Sequence, residues 1–113
     1  TYALTHWTRD KATDDPSRLP LEFMVKKLTH DSARLFGMRD RGTLEVGAKA
    51  DVNMIDYNNL GVSYPEMVYD LPAGMPRLMQ TAHGYEKTFV SGEVVQENGK
   101  DTGARPGRVV RSA

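Results

Sequence analysis

Apolar positions in the first third of the chain recur at helical spacing. Tyr2, Leu4 and Trp7 predict a short amphipathic helix over residues 2–9, and the polar run RDKATDDPSR that follows predicts a loop. The segment PLEFMVKKL predicts a second helix, because its leading proline suits a first helical turn. One face of this helix is apolar and carries Leu21, Met24, Val25 and Leu28.

The segment THDSARLFG predicts a separate, shorter helix directly after the second one. Thr29 suits the N-cap, and Asp31 falls in the first turn, where the helix dipole favours an anion. Gly37 is placed to end the helix, since glycine readily adopts the left-handed backbone of a C-terminal cap. We therefore expect the helical part of the chain to stop near residue 38.

From Gly42 onward the pattern changes to short apolar runs separated by turn residues. It predicts a short strand over residues 43–46, a turn at Gly47 and a buried strand over residues 51–57. Residues 58–76 contain three of the six prolines, by position in the sequence, and predict a long surface loop. Residues 77–82 predict a further strand.

Two dipeptides predict tight turns near the end of the chain. Ser91-Gly92 between KTFV and EVVQ predicts a hairpin, and Asn98-Gly99 predicts a second turn of the same kind. The tail that follows is rich in glycine and proline and is expected to be extended. The pattern as a whole predicts an α+β fold, with a helical segment over 1–38 and a small, sandwich-like β-domain of antiparallel or mixed sheet over 39–113.

Composition and charge narrow the classes of partner. Fifteen basic residues balance fifteen acidic ones, so no nucleic-acid partner is expected. No apolar run approaches the roughly 20 residues of a membrane-spanning helix, so no membrane partner is expected either. The chain has no cysteine, which excludes disulfides and suits a reducing cytoplasm. Because TYALTHW begins as if inside a helix, we also expect the chain to be a piece of a longer protein.

The histidines do not form a metal-binding pattern. Hydrolytic metal sites usually begin from a His-x-His or His-x-x-x-His pair, whereas His6, His30 and His83 are far apart in the sequence. His6 lies next to Arg9 and Asp10 in the sequence of a helix, but a surface or interface role is the simpler interpretation. We assign no metal ligand to this chain.

Carboxylates and candidate nucleophiles likewise predict structural roles. Asp51 and Asp56 flank a strand at an odd separation, which places them on opposite faces, so turn or edge hydrogen bonds are expected rather than paired acid/base work. Ser91 lies in a turn and not in a nucleophile elbow. The basic tail predicts a solvated segment or salt bridges; its arginines are Arg105, Arg108 and Arg111. We assign no catalytic or cofactor-binding residue.

Several spaced motifs resemble the C-terminal part of metal-dependent amidohydrolases. The run DRGTLEVGAKADVNMID over residues 40–56 resembles the superfamily's C-terminal signature, and PLEFMVKKLTHDSARLFGM resembles its last barrel helices. One departure is HDS at residues 30–32, where many relatives have Ser-x-Pro. LTHWTRD near the start, with VSGEVV and ENGKDTGARPGRVVR near the end, is similar to the D-aminoacylase or N-acyl-D-amino-acid deacylase branch.

This resemblance implies a parent enzyme with one or two zinc ions in a (β/α)₈ barrel. There, a metal-bound water attacks the amide carbonyl and an aspartate after the eighth strand is the general base and acid. None of those motifs lies in this sequence, so we expect the chain alone to be structural, inactive and metal-free. Its expected partners are the barrel and the N-terminal β-strands of the parent, with a self-paired homodimer through an exposed sheet as a further hypothesis. The alternative is a free-standing β-rich interaction module.

Overall fold

Two helices form the first third of the chain in the computed structural model, which describes residues 1–111. Helix α1 covers residues 2–10, with an α-helical start at Tyr2–Thr5 and a π-helical end at His6–Asp10. Helix α2 covers residues 21–35, as Leu21–Lys26, a π-helical turn at Lys27–Asp31, and Ser32–Leu35. The predicted first helix is confirmed and extends slightly further than expected.

The predicted break at Thr29 is wrong, because α2 continues through it. Thr29 has no capping role; its hydroxyl donates to the carbonyl of Val25, one turn earlier, at 2.8 Å. The Ser32 hydroxyl donates to the carbonyl of Lys27 at 2.8 Å, so side chains supply hydrogen bonds where the helix widens. The predicted end at Gly37 is confirmed: this residue has φ +71°, and Met38 N–H donates to the carbonyl of Ala33.

A four-stranded antiparallel sheet forms the centre of the second part of the chain. Its strands are β1 (Val52–Ile55), β6 (Tyr85–Val90), β7 (Glu93–Glu97) and β8 (Lys100–Asp101), in the order β1-β6-β7-β8. Both predicted turns are confirmed: Ser91-Gly92 joins β6 to β7 and Asn98-Gly99 joins β7 to β8. All four turn residues have positive φ, as the right-handed twist of such hairpins requires.

A long two-stranded ribbon replaces the predicted surface loop. Its strands are β2 (Gly61–Val62), β3 (Glu66–Val68), β4 (Arg77–Met79) and β5 (Ala82–His83), with a 3₁₀ turn at Pro72–Gly74 near the tip. β2 pairs with β5 and β3 pairs with β4, both antiparallel. The prediction of a structureless segment over 58–76 is therefore wrong, and the strand predicted over 77–82 is divided into β4 and β5.

Two further strand predictions fail for lack of a neighbouring strand. Residues 43–46 form no strand, and the side chains of Leu44 and Val46 are exposed. The strand predicted over 51–57 is present as β1 but is shorter, and it is not buried, since Met54 is half exposed. Both faces of β1 remain partly open to solvent.

Asp51 joins the loop before β1 to the hairpin turn. One of its carboxylate oxygens accepts from the backbone N–H of Ser91 at 2.9 Å, and the other accepts from Arg41 at 3.0 Å. The ammonium of Lys49 lies 3.6 Å from the same second oxygen. The prediction that this aspartate makes turn and edge hydrogen bonds is confirmed.

The junction between α1 and the turn after β1 contains the most deeply buried large side chain, Leu60, which is 1% exposed. One terminal nitrogen of Arg9 donates to the carbonyls of residues 57, 58 and 60, at 2.7, 3.1 and 2.8 Å. The Thr8 hydroxyl, itself buried, bonds to the hydroxyl of Tyr57. Gly84 closes the junction from the side of β6: a Cβ at that position would lie 2.6 Å from the Cα of Leu60.

The α+β class is confirmed, with helices first and antiparallel sheets after. Across residues 1–111, the structure contains no helix with the length and apolar character needed to cross a membrane.

Replacing Gly84 with alanine is expected to destabilise the chain strongly. The new methyl group would contact the Leu60 backbone, and φ of +87° strains any residue with a side chain, so we expect a loss of about 3 kcal/mol or more. Gly47→Ala is the matched control: its φ is +92° but nothing lies within 4 Å of the added Cβ, so it should lose about 1 kcal/mol. Equal shifts of the two urea midpoints would contradict the close contact.

Replacing Asp51 with alanine is expected to lower the free energy of unfolding by about 1–3 kcal/mol, because the Ser91 N–H and the Arg41 guanidinium both lose their acceptor. Asp51→Asn should lose less, since the amide oxygen still accepts from the N–H. Asp10→Asn is the control, because Asp10 pairs only with its neighbour Arg9 among the contacts of residues 1–111. An Asp51→Ala urea midpoint equal to that of the control would show that the carboxylate does not fasten the turn.

Candidate functional site

An open groove of about 570 Å³ lies between the two helices and the edge strand β1. Its walls are largely apolar. The apolar and aromatic side chains that line it are Leu4, Val25, Leu28, Leu44, Val52, Ile55 and Tyr85. We call this the β1 groove.

The β1 groove runs along the unpaired edge of β1. Val52 and Asn53 both line it, although successive residues of a strand point to opposite faces. Within residues 1–111, β1 is paired on one side only, with β6. Its other edge therefore presents free backbone donors and acceptors, which is the arrangement that accepts an added strand.

Helix side chains form the opposite wall of the groove. Val25 and Leu28 belong to the predicted apolar face of α2, yet they are 43% and 48% exposed. Leu4 of α1 lies beside them. Thr1 stands at the same groove, and its hydroxyl forms a 2.8 Å hydrogen bond with the hydroxyl of Tyr85. The apolar face predicted from the sequence thus exists without a covering element in this part of the protein.

The structure does not bring the three histidines together as one site. The ring of His6 stacks on that of Tyr2, with centroids 4.9 Å apart. His30 lies 3.1 Å from a carboxylate oxygen of Asp31. His83 packs against Gly61, where an added Cβ would lie 2.5 Å from Nε2. Each histidine has a local packing contact.

The carboxylates are engaged in local hydrogen bonds. Asp56 accepts from the backbone N–H of Asn58 and Asn59 and from the side-chain amide of Asn59, and this last bond is the main cause of its lowered pKa. The Lys27 ammonium, followed by the contact with His30, lowers the pKa of Asp31 to about 2. These groups are therefore charged near neutral pH and are not poised for proton transfer.

The basic tail divides between a salt bridge and solvent. Arg105 donates to Asp101 at 2.7 and 2.9 Å, and its guanidinium is the main cause of the lowering of the Asp101 pKa to about 2. Arg108 and Arg111 are exposed. The predicted salt bridge is confirmed for Arg105.

Chemically, this arrangement can bind an extended apolar chain but has no group set for catalysis. Over the described range, no cluster of three histidine, cysteine or carboxylate side chains is positioned to hold a metal ion. A second cleft, polar and about 530 Å³, lies where Arg9 and Asp10 face His83. The Arg9 guanidinium there is occupied by backbone carbonyls, so it serves the fold.

The sequence analysis did not find the β1 groove or the role of Arg9. The signal for the groove was the apolar face of α2, which needs a partner. Arg9 gave no signal, because its three carbonyl acceptors lie about 50 residues further along the chain, at separations of 48, 49 and 51.

Comparisons with known proteins agree on one family. The family model described as "Amidohydrolase family" matches residues 1–96. Among similar proteins, a dihydroorotase of Elusimicrobium minutum is 35% identical over 92 residues, which is 72% of this chain and 21% of that protein. An allantoinase of Deinococcus radiodurans is 34% identical over 95 residues, covering 82% of this chain and 20% of that protein.

A third relative has the activity of the branch that the sequence motifs resemble. An N-acyl-D-glutamate deacylase of Alcaligenes xylosoxydans xylosoxydans is 36% identical over 93 residues, covering 82% of this chain and 17% of that protein. The chain thus spans about a fifth of the length of these curated relatives. No solved structure matches it significantly. The match over residues 1–96 shows that the chain belongs to the amidohydrolase family.

Proposed function

We propose that the chain is the C-terminal portion of an amidohydrolase that hydrolyses N-acyl-D-amino acids. In this proposal the chain is a structural part, and the catalytic residues and zinc ions lie in the remainder of the enzyme. The family match supports the parent class, and the deacylase relative supports the substrate class. The coverage of about a fifth of each relative supports the division between a structural part and a catalytic remainder.

The observation that carries this proposal is the β1 groove. An isolated domain normally buries the apolar faces of its helices, whereas Val25 and Leu28 of α2 stay about half exposed beside an unpaired strand edge. Thr1 lies at the same groove, so a polypeptide continuing upstream of it would begin there. In the proposed enzyme, the upstream chain supplies a strand or helix that covers the groove.

The chain's own residues would contribute position rather than chemistry. Arg9 and Thr8 hold α1 against the turn after β1, and Asp51 holds the loop before β1 against the hairpin. These contacts fix the orientation of α1, and with it the direction in which an upstream segment enters. A metal-bound water in the remainder would attack the amide carbonyl, as the family resemblance implies.

The substrate class is tested with the complete reading frame that contains this chain, expressed with added zinc. We expect release of free amino acid from N-acetyl-D-glutamate or another N-acyl-D-amino acid, and none from the L-enantiomers. Dihydroorotate and allantoin are the comparison substrates, because two relatives carry the names of enzymes for them. Hydrolysis of the cyclic substrates alone would overturn the deacylase branch, and a reading frame with no upstream barrel would favour the free-standing interaction module.

The structural role is tested by complementation between the purified chain and the separately expressed remainder. Leu28→Lys should weaken association by about tenfold or more, because it places a charge in the apolar groove. Leu35→Lys is the matched control: it makes the same change in the same helix, at a side chain that is 82% exposed and outside the groove lining. Equal loss from both variants, with unchanged urea midpoints, would show that the groove is not the contact.

A further inference from the structure

The ribbon of residues 61–83 exposes an unusual number of large apolar side chains. Its members with at least 39% exposure are Tyr64, Met67, Tyr69, Leu71, Met75, Leu78 and Met79. Tyrosine and methionine are enriched, and charged residues depleted, in the cores of protein interfaces. The composition of the ribbon is therefore that of a contact surface.

One face of the ribbon is defined by its strand register. Met67 of β3 lies directly opposite Leu78 of β4, so these two side chains point to the same face. They are 54% and 68% exposed. A two-stranded ribbon is only marginally stable by itself in water, and this one lacks a covering layer over its Met67–Leu78 face within residues 1–111. An added layer on this face would stabilise it.

The charges of the ribbon favour a second copy of the same chain as that layer. Asp70 and Arg77 form a two-bond ion pair across the ribbon, at 2.5 and 2.6 Å, and so neutralise each other within one copy. The main-chain carbonyl of Ser63 accepts from the side chain of Gln80, which engages another polar group locally. Two such ribbons present neutral apolar faces to each other and do not repel, whereas no unpaired charge pattern on this face asks for a differently charged partner.

The size of the ribbon also fits a dimer contact. It supplies roughly 20 residues, the number that one side of a standard interface contributes when it buries about 800 Å² per partner. A two-fold axis needs a self-complementary patch, and flat apolar side chains on a regular strand pair provide one.

We propose that the ribbon is a homodimer interface, in which the Met67–Leu78 face of one copy packs on the same face of a second copy. This surface is separate from the β1 groove: the groove is bounded by the helices and β1, and no ribbon residue lines it. The inference does not depend on the proposed deacylase function, and groove and ribbon variants test the two separately.

Sedimentation equilibrium of the 113-residue chain tests the interface. We expect a dimer with a dissociation constant of about 1 µM or below, as for interfaces of standard size. Leu78→Lys should raise this constant by about tenfold or more. Leu35→Lys should leave it unchanged, and so should Leu28→Lys in the β1 groove.

A monomer at concentrations well above that constant would overturn the proposal. So would a dimer weakened by Leu28→Lys and not by Leu78→Lys, since this result would place the contact in the groove. Urea midpoints of all three variants identify any that loses dimerisation by unfolding.

Cross-linking gives a second measurement that needs no loss of stability. The chain has no cysteine, so a single introduced thiol is the only one present. Under mild oxidation, Met67→Cys and Leu78→Cys should form disulfide-linked dimers at concentrations where Leu35→Cys stays monomeric. Equal cross-linking of all three would indicate random collision and would contradict a contact on the ribbon face.

Discussion

The contact between Arg9 and the turn after β1 holds the helical and sheet parts of the chain together. The turn carries carbonyls at residues 57, 58 and 60 that have no strand partner, and one guanidinium nitrogen satisfies all three. Leu60 is buried beneath this contact, and Gly84 allows the backbone of the sheet to approach it closely. A buried carbonyl without a donor is costly, so the position of α1 relative to β1 and β6 depends on this one side chain.

This dependence on polar contacts follows from how little of the chain is buried. Among residues 1–111, the buried side chains are Thr5, Thr8, Ala33 and Leu60, and two of these are polar. A domain of about this length usually buries roughly 65% of its unfolded surface, mainly in one apolar core. Here the apolar faces of α2 and of the ribbon stay open instead. The membership in a family whose listed relatives are about five times longer gives this exposure a physical reason: such faces are suited to contacts beyond the chain.

The sequence predicted the features whose causes are local. Ser91-Gly92 and Asn98-Gly99 need positive φ at both turn residues, and Gly37 needs it at a helix end, so two or three residues were sufficient evidence. The helix start at Thr29 failed because a cap signal acts only where the helix is otherwise interrupted, and no proline or glycine interrupts α2. The ribbon was missed because β3 pairs with β4 across a proline-containing tip, a contact that no local pattern reports. The β1 groove was missed for the same reason, since it joins Leu4, Val25 and Val52 from three separate segments.

The two open surfaces differ in the kind of partner that they select. Along the β1 groove, unpaired backbone groups need hydrogen bonds, so an occupant must be extended and in register, and the position of Thr1 favours a segment of the same polypeptide. On the ribbon, β3 and β4 already pair with each other, and Asp70 and Arg77 already neutralise each other. What is left there is apolar side-chain area without a fixed hydrogen-bond pattern, which suits face-to-face packing with an identical surface. Occupation of one surface therefore does not exclude occupation of the other, and a dimer of complete enzymes would use both.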